Sequence, residues 1–191
     1  MRFDCLLNSN SLKFCIALAG LMLSTHTLAT TVQFQTSLGE FEVVLFDQEV
    51  PLTVANFLSY VEGDSYTDSI VHRSIPGFVV QGGGFIWQDD LVTDLVTDNP
   101  VMNEPVYSNV SGTIAMAKLA SDPNSATSQW FINLDDNSEN LDRSNGGFTV
   151  FGQVVGAGMD VVNAISDVPT FNFGGAFTNL PLADYSTEDA Q

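Results

Sequence analysis

Residues 71–85 read VHRSIPGFVVQGGGF. The stretch is apolar and ends in a run of glycines, the pattern of a strand passing into a turn. Yet it also holds His72, Arg73 and Gln81. A guanidinium among Val71, Ile75, Phe78, Val79 and Val80 is costly to desolvate unless it is paired or lies at a cleft wall. A surface fork holding a carboxylate and a working cation in a groove both meet that requirement, and the stretch alone leaves the two open. Gly82, Gly83 and Gly84 invite a phosphate-loop reading. They lack GxGxxG spacing, a following Lys-Ser/Thr and a helix directly after, so a turn or tight strand crossing accounts for them better.

The chain has 191 residues, enough for one ordinary domain with a real core. Arg2 and Lys13 precede an apolar run, FCIALAGLML at 14–23, which is followed by STHTLAT with Thr27 and Ala29 as small residues. This layout predicts a signal peptide over 1–29. The run is too short to span a bilayer, which takes about 20 residues. Removal of 1–29 takes Cys5, Cys15 and His26 with it and leaves His72 as the one histidine. A thiol nucleophile, a disulfide framework and a Cys/His zinc site are then excluded. From residue 30 onward there are three basic residues, Arg73, Lys118 and Arg143, against 22 acidic ones, a net charge of −19. Binding to nucleic acid or to an anionic membrane surface is disfavoured, and a solubilising acidic surface is the expected role of that charge.

Outward from the opening stretch, TVQFQTSLGEFEVVLF (31–46) alternates as a β-hairpin with Leu38-Gly39 at the turn. Pro51 opens a helix over 52–62, with Val54, Phe57, Leu58 and Val61 on one face and Gly63 as the stop. Residues 86–110 form a long excursion. GTIAMAK (112–118), SQWFINL (128–134) and FTVFGQVV (148–155) read as strands, with Gly152 marking a bulge or close approach. A polar loop, DDNSENLDRSNGG, fills 135–147, and 159–168 reads as a second short helix. Residues 188–191 are expected to be a frayed tail. No repeat and no composition break appears, so one domain over 30–187 is expected. On pattern alone this is a mainly β domain, a sandwich or barrel, with two accessory helices.

Most other candidate sites have plain explanations. The acidic loop 135–142 lacks the glycine and terminal glutamate of an EF-hand. Asn109-Val110-Ser111 matches a short glycosylation sequon. Glu40 and Glu42 share one strand face, where solvation is the default. His72 has no carboxylate orienter near it in sequence and reads as a structural histidine.

Three blocks in order carry a resemblance: VHRSIPGFVVQGGGF (71–85), then GTIAMAK with SQWFIN (112–118 and 128–133), then FTVFGQVVGAGMDVV (148–162). Together they resemble the signature of the cyclophilin-type peptidyl-prolyl cis-trans isomerases, over most of residues 31–186. Length and strand spacing resemble the compact bacterial periplasmic members. The resemblance implies a closed eight-stranded antiparallel β-barrel capped by two α-helices. It also implies isomerisation of X-Pro bonds in unfolded or extended proline-containing polypeptides, without cofactor or metal, by a monomer located in the periplasm. Assistance to the folding of exported proteins is the expected role. Rival readings are a proline-peptide-binding chaperone module with weak catalysis, and a secreted β-rich binding protein using the loops at 86–110 or 135–147.

Carried over residue by residue, the resemblance makes Arg73 the catalytic arginine. Phe78 and Phe131 become walls of a proline pocket, and Gln81 and Gln129 bind peptide backbone. Ala117, Leu141, Val79, Lys118 and Phe148 complete the expected groove. Val79 stands where many members have methionine, and Lys118 where asparagine is usual. Asn140-Leu141-Asp142 lacks the tryptophan of the cyclosporin-sensitive members, and Phe148 replaces their groove histidine. Lys118 beside the groove is expected to bias selection towards acidic or neutral peptides.

Overall fold

A computed structural model describes residues 29–185. The signal-peptide reading, except for Ala29, and the tail reading of 188–191 fall outside those residues. Strands β1 (Thr31–Thr36) and β2 (Gly39–Leu45) form the expected hairpin, registered from Thr31 opposite Val44 to Thr36 opposite Gly39. The turn falls on Ser37-Leu38, one residue earlier than the sequence suggests. Helix α1 (Pro51–Glu62) starts with proline in its first turn and ends at Gly63, because proline lacks the N–H that would have no partner there. No local side chain caps it. Instead the Glu104 carboxylate accepts from the Thr53 N–H and hydroxyl, both at 2.8 Å, an anion placed at the positive end of a helix.

The opening stretch becomes β3 (Arg73–Ile75) and β4 (Val79–Gly82). The excursion after it contains a two-stranded ribbon the sequence did not suggest, β5 (Phe85–Gln88) and β6 (Leu91–Asp94). Then come β7 (Thr113–Met116), β8 (Trp130–Asn133), the single-turn helix α2 (Ser138–Leu141) and a 3-10 turn at Ser144–Gly146. Strand β9 (Val150–Val155), helix α3 (Gly158–Ser166) and a small ribbon of β10 (Thr170–Phe171) and β11 (Leu180–Pro181) follow. Helices α1 and α3 are the two expected; α2 is additional.

Seven strands form one antiparallel sheet in the order β1-β2-β9-β7-β8-β4-β3. The sheet is strongly curled. Phe34 on β1 meets the Trp130 ring on β8 at 5.2 Å between centroids, although four strand spacings of about 4.8 Å separate such strands in a flat sheet. The concave face holds the larger core, including Val43, Phe57, Val80, Ile114, Ile132 and Phe151. Gly152 permits the close approach expected of it: a Cβ there would lie 2.8 Å from the Val44 carbonyl oxygen.

The mainly β antiparallel class is as expected, but the closed eight-stranded ring is not what the described residues form. Their hydrogen-bonded ladder ends at β1 on one side and β3 on the other. Residues 170–181 pair with themselves as β10 and β11 and reach β3 through Ser74 N–H to the Asn179 carbonyl, 2.9 Å. Two-residue strands folded back in this way do not span to β1. A cleft of about 820 Å³ lies along the seam, lined by residues 32–38 of β1 and the turn after it, by Ser69–Val71 and by Trp130.

Candidate active site

The convex face carries a row of facing residues across five strands. Arg73 of β3 is opposite Gln81 of β4, Gln81 opposite Phe131 of β8, Phe131 opposite Ala115 of β7, and Ala115 opposite Val150 of β9. Alternation puts each neighbour in the chain on the other face, so Val80 and Ile132 enter the concave core while Val79 and Phe131 stay here. A register shift beside Ile114 and Ala115 brings Val150 into the row. Phe151 packs in the concave core.

The row has an apolar end. Val79, Ala115, Phe131, Leu141 and Val150 are buried together, with Phe78, Ala117 and Phe148 packed on them. Phe148 meets Phe131 edge to face at 5.7 Å. It also has a polar end. Arg73 Nη1 donates to Gln81 Oε1 at 3.0 Å, and Gln81 Nε2 donates to Gln129 Oε1 at 3.0 Å. The Arg73 guanidinium carbon stands 5.8 Å from the Phe78 ring centroid. Burial lowers the Arg73 pKa from its very high ordinary value, but arginine remains charged in proteins. Among the described residues its hydrogen bond goes to an amide, not to the surface carboxylate that the opening stretch left as one alternative. The glycine run also finds its use, since a Cβ on Gly84 would lie 2.7 Å from the Gln129 side-chain carbon. The chain can therefore lie directly against that amide.

All ten expected groove residues thus come together on one face. Lys118 differs from the others in its orientation. Its ammonium donates to the Asn145 and Gly147 carbonyls and stands 4.8 Å from the Phe148 ring centroid. Glu40 and Glu42 lie on the solvated face of β2. His72 is buried beside Phe85, its ring edge-on at 4.9 Å. Burial first, and the neighbouring Arg73 charge second, lower its pKa to about 4.

The residues that brace the apolar end were missed in the sequence. Asn137 Nδ2 donates to the Phe78 carbonyl at 2.9 Å and to Asn133 Oδ1 at 2.8 Å. Asn109 donates from backbone and side chain to Asp142 Oδ1, each at 2.9 Å. Burial works to raise the Asp142 pKa, but these hydrogen bonds outweigh it and hold the carboxyl below its ordinary value. Phe78 lies 59 positions from Asn137, and Asn109 lies 33 from Asp142, so no local pattern announces either contact.

The family model described as "Cyclophilin type peptidyl-prolyl cis-trans isomerase/CLD" matches residues 31–185. The chain belongs to the cyclophilin-type peptidyl-prolyl cis-trans isomerase family. Peptidyl-prolyl cis-trans isomerase of Acinetobacter baylyi is 43% identical over 166 residues, covering 85% of this chain and 86% of the relative. Peptidyl-prolyl cis-trans isomerase A of Dickeya dadantii is 46% identical over 162 residues, covering 83% and 79%. Peptidyl-prolyl cis-trans isomerase B of Escherichia coli is 40% identical over 165 residues, covering 82% and 96%. A crystal structure of a Cryptosporidium parvum cyclophilin-type isomerase shares the fold, with TM-score 0.64 and 24% identity over 81% of this chain and 91% of that one. A second structure of that protein, in the presence of the dipeptide Ala-Pro, superposes with TM-score 0.62 at 23% identity, over 78% and 91%. The cyclophilin activity, isomerisation of peptidyl-prolyl bonds, is the activity of this chain.

Proposed function

We propose that the convex face catalyses rotation about X-Pro bonds in extended polypeptides, with Arg73 as the catalytic residue. An X-Pro amide resists rotation because its C–N bond is partly double, with a barrier of about 18–20 kcal/mol. In the twisted state resonance is lost and the prolyl nitrogen becomes pyramidal and more basic. A fixed cationic donor beside that nitrogen binds the twisted state more strongly than either planar one, which is what lowers the barrier. No nucleophile and no proton relay are needed.

The observation that carries this reading is the Arg73–Gln81–Gln129 chain running beside the apolar cluster. Gln81 fixes one nitrogen of the guanidinium, whose other N–H groups remain available as donors. Phe78, Val79, Phe131, Leu141 and Phe148 grip the proline ring, with Ala117 at their edge. Gln81 and Gln129 hold the flanking backbone. In a coupled isomerisation assay on X-Pro peptides, Arg73→Ala is expected to lower kcat/KM at least about 100-fold, the scale of losing a preorganised donor, with an unchanged melting temperature. Near-wild-type activity would sink the role.

We further infer that the clients are exported polypeptides, because the basic, apolar and small-residue segments of 1–29 follow the order of a signal peptide. Fractionation of the expressing cell with N-terminal sequencing tests it. A periplasmic chain starting near residue 30 is expected, and a cytoplasmic chain starting at Met1 overturns it.

A further inference from the structure

We propose that Lys118 is a positioning residue that fixes the Phe148 wall of the groove by clamping the carbonyls of residues 145–147, and does not itself bind peptide. The proposal rests on the functional reading above. Asn145, Gly146 and Gly147 have φ of +49°, +76° and +78°. Three successive residues in the left-handed region form an unusual turn, and glycine and asparagine are the residues that tolerate it. All three carbonyls are held by side chains from elsewhere. The Lys118 ammonium takes those of Asn145 and Gly147. Asn103 Nδ2 takes those of Gly146 and Gly147, at 3.0 and 2.8 Å.

The clamp leads directly to the site. Phe148 follows Gly147 and presents its ring both to the ammonium, 4.8 Å away, and to Phe131, 5.7 Å away. A cation near a ring face is attracted by the ring quadrupole, so Lys118 holds the backbone before Phe148 and the ring itself. On the other side the Asn103 carboxamide oxygen accepts from Thr149 Oγ1 at 2.7 Å, and Thr149 Oγ1 accepts from the Glu104 N–H at 2.7 Å. Residues 145–149 are therefore pinned from two directions. To reach a peptide, the ammonium would have to abandon both carbonyls.

Lys118→Met keeps the apolar stem and removes the donors and the charge. It is expected to raise KM roughly three- to tenfold for an X-Pro peptide, the range set by lost charge-assisted hydrogen bonds and a cation–ring contact. The kcat should change by less than about twofold, because such a wall binds ground and transition states alike. Lys118→Arg restores KM, since a guanidinium can serve two carbonyls and stack on a ring. Lys118→Gln, which keeps one amide donor, gives an intermediate KM and covers the case in which the methionine variant folds poorly. Ring-proton NMR shifts of Phe148 must move in Lys118→Met and return in Lys118→Arg. Wild-type KM together with unmoved Phe148 resonances in Lys118→Met or Lys118→Gln would overturn the proposal. So would a fall in kcat at constant KM. The Phe148 resonances decide the clamp even if the wild-type chain fails to isomerise, which would instead defeat the functional reading.

Discussion

An arginine held by an amide keeps more of its field than one neutralised by a carboxylate. Gln81 supplies that restraint to Arg73, and Gln129 in turn fixes Gln81. The price of such a cation falls on its neighbour His72, which is buried, has an Nδ1 without a hydrogen-bond partner among the described residues and sits next to a permanent charge. His72 therefore folds as the neutral ring, with its pKa lowered from 6.5 to about 4. The unfolded chain binds the extra proton first, so this contribution to stability is complete above about pH 6.5 and drains away as pH falls towards 4. The full loss is about 3 kcal/mol. Urea denaturation from pH 7.5 to 4 is expected to show that slope in the wild type. His72→Phe, which suits the contact with Phe85, should flatten it. An equal slope in both chains would assign the acid limb to the carboxylates.

At the level of elements, what the sequence disclosed follows how local each signal is. The β1–β2 hairpin, α1 and α3 are written in alternation, 3/4 spacing and stop residues within a few positions. The chemistry of β4, β7 and β8 was legible because their residues occur in long uninterrupted blocks. The ribbon β5–β6 was hidden by its composition: Asp89 and Asp90 form its turn with φ of +52° and +61°, and in sequence they read only as part of the long excursion over 86–110. Helix α2 and the turn after it were hidden because long-range partners stabilise them. Asn137, Asp142 and the 145–147 carbonyls are satisfied by Phe78, Asn109, Lys118 and Asn103. Glu104 caps α1 from 51 positions away. The open ladder of the described residues, in place of the expected closed ring, has a related reason. Whether 170–181 adds to β1 or pairs with itself depends on where the chain returns in space, and local alternation is silent on that. Lys118 shows the same limit at the site. Its place beside the groove could be inferred, but the direction of its ammonium depends on a turn 27 residues later.

Over the whole molecule the formal charge is −18, and the few cations do little to offset it at the site. Arg73 is bound to an amide and Lys118 to backbone carbonyls, while acids such as Asp89, Asp90 and Asp94 stand exposed on the ribbon that leaves β4. The expected pull of Lys118 towards acidic peptides is thus opposed by the field of the entire domain. Its ammonium is already engaged, whereas the acidic surface acts at long range on any approaching client. At an ionic strength of about 0.01 M the Debye length is roughly 30 Å, comparable to the domain, and at 1 M it is about 3 Å. Peptides with lysine flanking the X-Pro bond are therefore expected to exceed glutamate-flanked peptides in kcat/KM by about tenfold at low salt, with the gap closing to within about twofold near 0.5 M NaCl. The difference should reside in KM and association rate. A preference for the glutamate peptides, or a lysine preference unmoved by salt, would show that a local contact at the groove outweighs the field of the domain.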